Sequence, residues 1–378
     1  MLYFQTMTKT ILAIETSCDE TAMAVIKSKK TVCNFDFEII SNVVASQIDI
    51  HKKWGGVYPE LASRAHLEAM IPVLQETLQK ARNSKHETRK KVSDFDIRIS
   101  DLVNEVDFIA VTYEPGLVGS LLMGIETAQI LGAYFDKPVV KVNHLEGHVY
   151  ASFACLNQKL KIKNQKCKEN NSKFKIPKKG IFPILALVVS GGHTSLILMC
   201  DHLKYKTVAE TIDDAAGEAF DKVARIIGLS YPGGPEIEKL AKKGDENAYD
   251  LPIGLNGKQN FSFSGLKTAV LYLTKNPRTD RIRKYSKTDL AASFQKSVAD
   301  TLIQKTRIAM AKYRPKTLIL TGGVSANSYI RNRFGSQFSN LQTANGKPLT
   351  VLVPPPSLST DNAVGIGIAG ALRLTFKK

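Results

Sequence analysis

The chain has no Cys-x-x-Cys pair, and its five cysteines (Cys18, Cys33, Cys155, Cys167, Cys200) are odd in number. Both facts argue against a disulfide framework and for a reducing compartment. No apolar run is long enough to span a bilayer, and no charged stretch leads into an apolar signal segment, so the expected location is the cytoplasm with no membrane partner. Gly-x-x-x-x-Gly-Lys-Ser/Thr is missing, which excludes a P-loop ATPase. The Gly-x-Ser-x-Gly elbow of serine hydrolases is missing too. No low-complexity repeat or coiled-coil heptad occurs. Leu2-Tyr3-Phe4-Gln5 resembles the remnant of a protease-cleavage tag, so residues 1–6 are set aside and Met7 is taken as the natural start.

Acidic residues are also short: 35 Asp+Glu against 52 Lys+Arg leave a net charge of +17. That balance favours a polyanionic partner, nucleic acid first. The cations are clustered. Residues 157–179 hold nine lysines from Lys159 to Lys179 against the single acid Glu169. A second group is Lys275, Arg278, Arg281, Arg283, Lys284 and Lys287; a third is Arg82, Lys85, Arg89, Lys90 and Lys91. One such cluster reads as a solvated loop, whereas three together favour contact with a phosphate backbone.

What is present begins with two histidines, His144 and His148, four residues apart. On a helix they share a face, so both imidazoles can reach one cation. Alone, such a pair is more often a pair of satisfied core or surface residues. A carboxylate far downstream, Asp361, lies between a proline run and an apolar helix and can complete the set. Two nitrogens and one oxygen, with positions left open, suit a metal that binds a ligand. A zinc peptidase would place its glutamate directly after the first histidine. Here Glu146 is two residues on, about 200° around the helix from His144, and points away.

At 378 residues and 43% hydrophobic, the chain can bury a core split over two lobes. Ile11 to Ile26 reads as strand, polar turn, strand, and Ile184 to Met199 repeats that order, which suggests internal duplication. Asp107 to Thr112 and Thr317 to Thr321 are further strands, each running into a glycine turn and a helix start that can cradle phosphate. The expected lobes are 7–143, with 83–103 an insertion, and 144–378, with the histidine helix, a nucleotide site and a lysine-rich insertion at 157–179. Both insertions are expected to be loops.

Four segments could line a nucleotide. Val188, Val189, Ser190, Gly191 and Gly192 let backbone approach an acyl or phosphate group closely. Asp214, Glu218 and Asp221 fall at i, i+4 and i+7 of a helix. Asp213 and Asp214 read best as helix-start acids and Asp221 as a ribose ligand. Tyr231-Pro-Gly-Gly-Pro235 is a rigid turn, and Asn327 is either a helix cap or a base contact.

In order, Ile14-Glu-Thr-Ser-Cys-Asp-Glu-Thr21, Trp54-Gly-Gly-Val-Tyr-Pro-Glu-Leu-Ala-Ser-Arg64 with His66, His144-x-Glu-Gly-His148, Val189-Ser-Gly-Gly-His-Thr194, Asp213-Asp-Ala-Ala-Gly-Glu-Ala-Phe-Asp221, Tyr231-Pro-Gly-Gly-Pro235, Phe261-Ser-Phe-Ser-Gly-Leu-Lys267, Thr321-Gly-Gly-Val-Ser-Ala-Asn327 and Ser359-Thr-Asp-Asn362 resemble the TsaD family. These are the tRNA threonylcarbamoyltransferases once called glycoproteases. The likeness runs from about Met7 to the C-terminus apart from the two insertions, and Glu146 and His193 resemble the bacterial and mitochondrial branch. Ser359 replaces a common cysteine, Trp54 a tyrosine and Ala65 an aspartate.

The resemblance implies an α/β protein with the actin-like ATPase (ASKHA) fold, its two duplicated lobes enclosing a nucleotide and metal cleft. It implies transfer of threonylcarbamoyl from threonylcarbamoyl-adenylate to N6 of the adenosine just 3′ of a tRNA anticodon. It also implies one divalent metal per subunit, Fe(2+) first and Zn(2+) second, on His144, His148 and Asp361. The adenylate would contact Val188, Val189, Ser190, Gly191, Gly192, Asp221, Gly234 and Asn327. Implied partners are tRNA, a TsaB-like paralogue and a TsaE-like ATPase, or a second copy of the chain if it is of the mitochondrial type. Glu15, His193 and Asp19 are candidate proton acceptors. The competing expectations are a metallopeptidase and a nucleotide-regulated binding module without chemistry.

Overall fold

The computed structural model describes residues 8–85, 103, 105–156, 172–276, 278–279 and 281–376. Two mixed sheets carry the fold. In the first, the order is β5 (Val139–Asn143), β4 (Phe108–Glu114), β1 (Thr8–Glu15), β2 (Glu20–Lys30), β3 (Asn34–Ser46) and β6 (Lys173–Pro177). In the second it is β11 (Thr350–Leu352), β10 (Thr317–Thr321), β7 (Ile184–Val189), β8 (Thr194–Asp201) and β9 (Lys204–Glu210).

Five strands of each sheet follow one plan. β1 and β7 each pair antiparallel with the strand that follows and parallel with a later strand, β4 or β10. The expected duplication is therefore present in the topology. The central strands read as continuous apolar runs because both faces are covered: Ile11 to Ile14 and Ile184 to Val189 are fully buried.

The helices are α1 (Ile48–Lys52), α2 (Pro59–Lys85), α3 (Val118–Tyr134), α4 (His144–Ala151), α5 (Ala216–Ile226), α6 (Gly233–Ala241), α7 (Ser264–Thr274), α8 (Lys287–Tyr313), α9 (Ser328–Phe338), α10 (Pro356–Ser359) and α11 (Ala363–Phe376). α2 and α3 cover the outer face of the first sheet around Leu12, Ile14, Leu74 and Leu121. α5 to α9 contribute to a core on the outer face of the second around Phe220, Phe294 and Phe334. α4 and α11 share a third core with residues of both sheets, among them Ala13, Ile26, Val149, Ala186, Ile319 and Ile368. The histidine helix thus lies where the two sheets meet.

Two expectations need correction. Residues 173–177 of the lysine-rich segment form strand β6 on the edge of the first sheet, so the loop expected over 157–179 is too long. Phe174 and Ile176 point into the core, Phe174 stacking on Phe37 with centroids 5.6 Å apart, while Lys173 and Lys175 face out. Residues 157–171 lie outside the described residues. Likewise α2 runs on to Lys85, past the expected start of the insertion at 83, and residues 86–102 are outside the described set. Because β6 joins the first sheet and α11 packs against it, the sheets do not divide at residue 143.

Candidate metal centre and nucleotide cleft

β5 hands the chain to α4 through Asn143, whose Oδ1 accepts from the backbone N–H groups of Leu145 and Glu146 and caps the helix. That cap starts α4 at His144, so His144 and His148 stand one turn apart on the same face. Their rings are 4.5 Å apart, and both residues are buried. Asp361 arrives from the loop between α10 and α11. Asn362 fixes that loop by donating to the Leu358 and Thr360 carbonyls and capping Val364 N–H.

The two helices touch backbone to backbone. A Cβ on Gly365 would lie 2.0 Å from the Gly147 carbonyl oxygen, so glycine at 365 is what allows α11 to bring Asp361 to the histidines. Asp361 Oδ1 is 3.2 Å from His148 Nε2 and 3.7 Å from His144 Nε2. All three candidate ligand atoms fall within 4.8 Å of one another.

The donor set fits a cation on three counts. His148 Nε2 is buried and makes no hydrogen bond, even with Asp361 Oδ1 so near. Ligand atoms about 2 Å from a shared ion would sit at roughly these separations from one another. Finally, His144 Nδ1 meets Glu15 Oε2 at 2.9 Å, the carboxylate–imidazole arrangement that leaves Nε2 free for a metal. Glu15 is itself fixed by the Thr112 hydroxyl at 2.7 Å and the Ser17 N–H at 2.6 Å. Burial pulls the His144 pKa down, but the Glu15 and Asp361 carboxylates outweigh it and raise it to about 9. Burial would raise Asp361, yet the imidazoles hold it far below the usual carboxylate range. His193, with its ring 6.3 Å from His144, is pushed down to about 4 by burial and by the neighbouring histidines.

Glu146 has no part in this cluster. Its Oε2 accepts from Arg373 Nε at 2.9 Å and Nη2 at 2.7 Å, away from the imidazoles. The expected orientation of Glu146 holds.

The nucleotide candidates occupy adjoining loops. Val188 and Val189 are fully buried strand residues whose side chains belong to the cores. What reaches the surface is the turn after them. Ser190 N–H donates to the His193 carbonyl, His193 N–H donates to Ser190 Oγ, and Gly191 and Gly192 face open space. Gly217 and Gly322 pack against the backbone of this turn, where a Cβ would come within 2.6 Å of the Ser190 oxygen and 2.4 Å of the Val189 oxygen. Asp221, one turn beyond Gly217 on α5, accepts the Gly233 N–H at 2.7 Å, and Gly234 next to it is open. Burial pushes Asp221 up to about 6, the Gly233 N–H partly offsets this, and the charge of Asp19 adds to it. Asn327 caps α9 through Ile330 N–H and donates from Nδ2 to Gln295 Oε1.

The structure separates the acids that the sequence reading put on one helical face. α5 starts at Ala216, so Asp214 precedes it and pairs with Lys222 and Lys267. Asp213 serves another helix, accepting from Phe263 and Ser264 N–H and from the Ser262 and Ser264 hydroxyls at the start of α7. The sequence reading missed Thr112 and Ser17 as partners of Glu15, and Arg225, whose guanidinium donates to the Gly55 carbonyl across the cleft.

A family model described as TsaD, tRNA N6-adenosine threonylcarbamoyltransferase, matches residues 38–161 and 169–368. The chain belongs to this family. It is 43% identical over 364 residues to the tRNA N6-adenosine threonylcarbamoyltransferase of Bacillus subtilis, covering 96% of this chain and 90% of that protein. The enzyme of the same name from Thermosipho melanesiensis is 43% identical over 362 residues, covering 95% and 93%. Among solved structures, T. kodakarensis HypF matches 98% of this chain with TM-score 0.54 at 13% identity. The phosphate- and nucleotide-bound full-length HypF gives 0.52, also at 13%. This chain spans just under half of either HypF chain, 48% and 47%, and the likeness concerns the fold alone. The fold is a two-sheet α/β arrangement, and its likeness to the HypF chains is one of fold. Among the described residues no helix is long and apolar enough to cross a membrane.

Proposed function

We propose that this TsaD family member transfers threonylcarbamoyl from threonylcarbamoyl-adenylate to N6 of the adenosine just 3′ of a tRNA anticodon, releasing AMP. The observation that carries the reading is the buried convergence of His144, His148 and Asp361 beside the open Ser190–Gly192 turn. In the reaction N6 attacks the carbamoyl carbon, the bond to the AMP phosphate oxygen breaks, and N6 gives up a proton. AMP is a good leaving group, so no covalent enzyme intermediate is needed. When bound, a divalent cation, iron first and zinc second, supplies Lewis acidity beside the carbonyl.

The chain's own residues do the positioning, which matters because an exocyclic adenine nitrogen is a weak nucleophile. The backbone from Val188 to Gly192 would hold the acyl and phosphate portion. Asp221, Gly234 and Asn327 would hold the nucleoside. Glu15 drops out as proton acceptor, because its oxygens already serve His144, Thr112 and Ser17. His193 and Asp19 remain.

For protein partners we propose a TsaB-like paralogue and a TsaE-like ATPase, or a second copy of the chain if it is of mitochondrial type. Exposed Leu67, Ile71, Val118, Leu122, Ile130 and Tyr134 on α2 and α3 support a protein contact on that face. The metallopeptidase reading is disfavoured by family membership and by the Glu146–Arg373 pair.

The test uses the purified chain with its paralogue, threonylcarbamoyl-adenylate and unmodified tRNA, reading nucleosides by mass spectrometry. Threonylcarbamoyladenosine should form with wild type and not with His144→Ala or Asp361→Ala. AMP release without modified nucleoside, or cleavage of a peptide instead, would refute the proposal.

A further inference from the structure

Trp54 is the only tryptophan of the chain, and it does not lie in a core: the residue is 62% exposed. Tyr58 beside it is 46% exposed, and the two rings lie 5.5 Å apart with 32° between their planes. Among the described residues no other aromatic pair in contact leaves both members exposed. Tyr134 rests on half-buried Phe135, and Phe376 on buried His202 and Phe35. Aromatic rings dominate the energetics of cores and interfaces, so two left side by side in water form an unfilled contact surface.

The loop that carries them is tied to the cleft on two sides. Buried His51 accepts the Tyr58 N–H at Nδ1, 3.3 Å, and donates from Nε2 to Gln47 Oε1, 3.2 Å. Gln47 in turn donates its N–H to the Asp19 carbonyl at 3.0 Å. His66 adds a bond from Nε2 to the Cys18 carbonyl at 2.9 Å. These ties reach the β1–β2 turn, which follows directly on Glu15, the partner of His144. On the other side Arg225 donates to the Gly55 carbonyl, and Arg225 stands one turn beyond Asp221 on α5. The aromatic pair is therefore held at the rim, between the metal side and the nucleotide side of the cleft. Lys52 and Lys53, exposed just before Trp54, bring positive charge, with Asp49 the single acid of α1.

His144 and His148 are buried, so an adenine whose N6 is to react beside them must leave its stack in the RNA. Its neighbour along the strand is then left with a bare face, and bases in that state stack on aromatic side chains. We propose that Trp54, backed by Tyr58, is the platform on which this neighbouring base stacks, with Lys52 and Lys53 beside the flanking phosphates. The inference rests on the proposed tRNA reaction and adds the group that keeps the strand open at the rim. Stacking accepts any base, so Trp54 positions the tRNA and does not select it.

A lone tryptophan lets the platform report on itself. Unmodified, end-labelled tRNA is titrated with the full chain across a salt series, following tryptophan emission and tRNA anisotropy for wild type, Trp54→Phe and Trp54→Ala. Wild-type emission should be quenched in step with the anisotropy, because a base then lies on the indole. Trp54→Ala should bind about 5–100-fold more weakly, with the slope of log K against log salt unchanged, because stacking releases no counterions. Trp54→Phe should recover most of the affinity, and both variants should match wild type in melting temperature and metal content. Wild-type affinity in Trp54→Ala, or unchanged emission while tRNA binds, would overturn the platform and leave the reaction standing. So would a Trp54→Ala chain that holds tRNA normally but no longer binds its paralogue, since the rings would then be a protein contact. Failure of wild type to bind tRNA at low salt, alone and with the paralogue, would overturn both.

Discussion

Arg373, near the end of α11, donates from both Nε and Nη2 to one carboxylate oxygen of Glu146 on α4. Glu146 is fully buried and its other oxygen makes no hydrogen bond. The glutamate between the two histidines is spent on joining two helices. Together with the Gly147–Gly365 contact, the pair fixes how α4 and α11 cross, and hence where Asp361 stands relative to the histidines.

Arg373→Met should therefore leave a buried carboxylate without its partner and destabilise the fold. Breaking a fully buried pair costs about 3–5 kcal/mol, and discounting for the partly exposed guanidinium gives roughly 2–3 kcal/mol. Glu146→Met combined with Arg373→Met should recover most of the loss, since no charge is then stranded. Urea unfolding of both variants checks this; equal stability of wild type and Arg373→Met would show that the pair contributes nothing.

Glu15 should act on the metal through His144. Glu15→Gln keeps the size of the side chain but removes the charge that fixes the imidazole, and metal affinity should fall about 10–100-fold. Competition with a chromophoric chelator measures it. Unchanged affinity would remove Glu15 from the site.

Asp221 has a folded-state pKa of about 6, above its ordinary value of 3.8. A raised acid favours the folded state below its unfolded pKa and loses that contribution as pH rises through the folded value. Asp221→Asn does not titrate, so it should match wild type near pH 3.5 and become the more stable protein by roughly 2 kcal/mol above about pH 6.5. Denaturation at the two pH values reads the difference. A constant difference would place the titration elsewhere. The same substitution should weaken adenylate binding if the carboxylate receives ribose hydroxyls.

Gly365→Ala would drive a methyl group into the Gly147 carbonyl. Overpacking at a backbone contact should cost about 3 kcal/mol, the upper part of the usual range, and should lower metal content as the helices part. Thermal melting and elemental analysis check the two effects separately.

Most of the framework could be read from residue order. Ile11 to Ile14 and Ile184 to Val189 announce buried strands, and the glycine turns after β4 and β10 announce helix starts. His144 and His148 were recognisable because helical periodicity is local. β6 is hard to read from the sequence although Lys173-Phe-Lys-Ile-Pro177 alternates as a strand should, because the surrounding lysines suggest solvent. Asp213 cannot be assigned to α7 from local sequence because its partners, Ser262 and Ser264, lie some fifty residues away. Glu15 finds His144 across 129 residues, a distance no local pattern encodes.

The most direct measurement is metal stoichiometry by elemental analysis of the purified chain, stripped with chelator and reloaded with iron(II) or zinc(II). Wild type should take up one ion per chain, and His144→Ala, His148→Ala and Asp361→Ala, each folded, should take up none at the same free metal concentration. Full loading of all three variants would contradict the account.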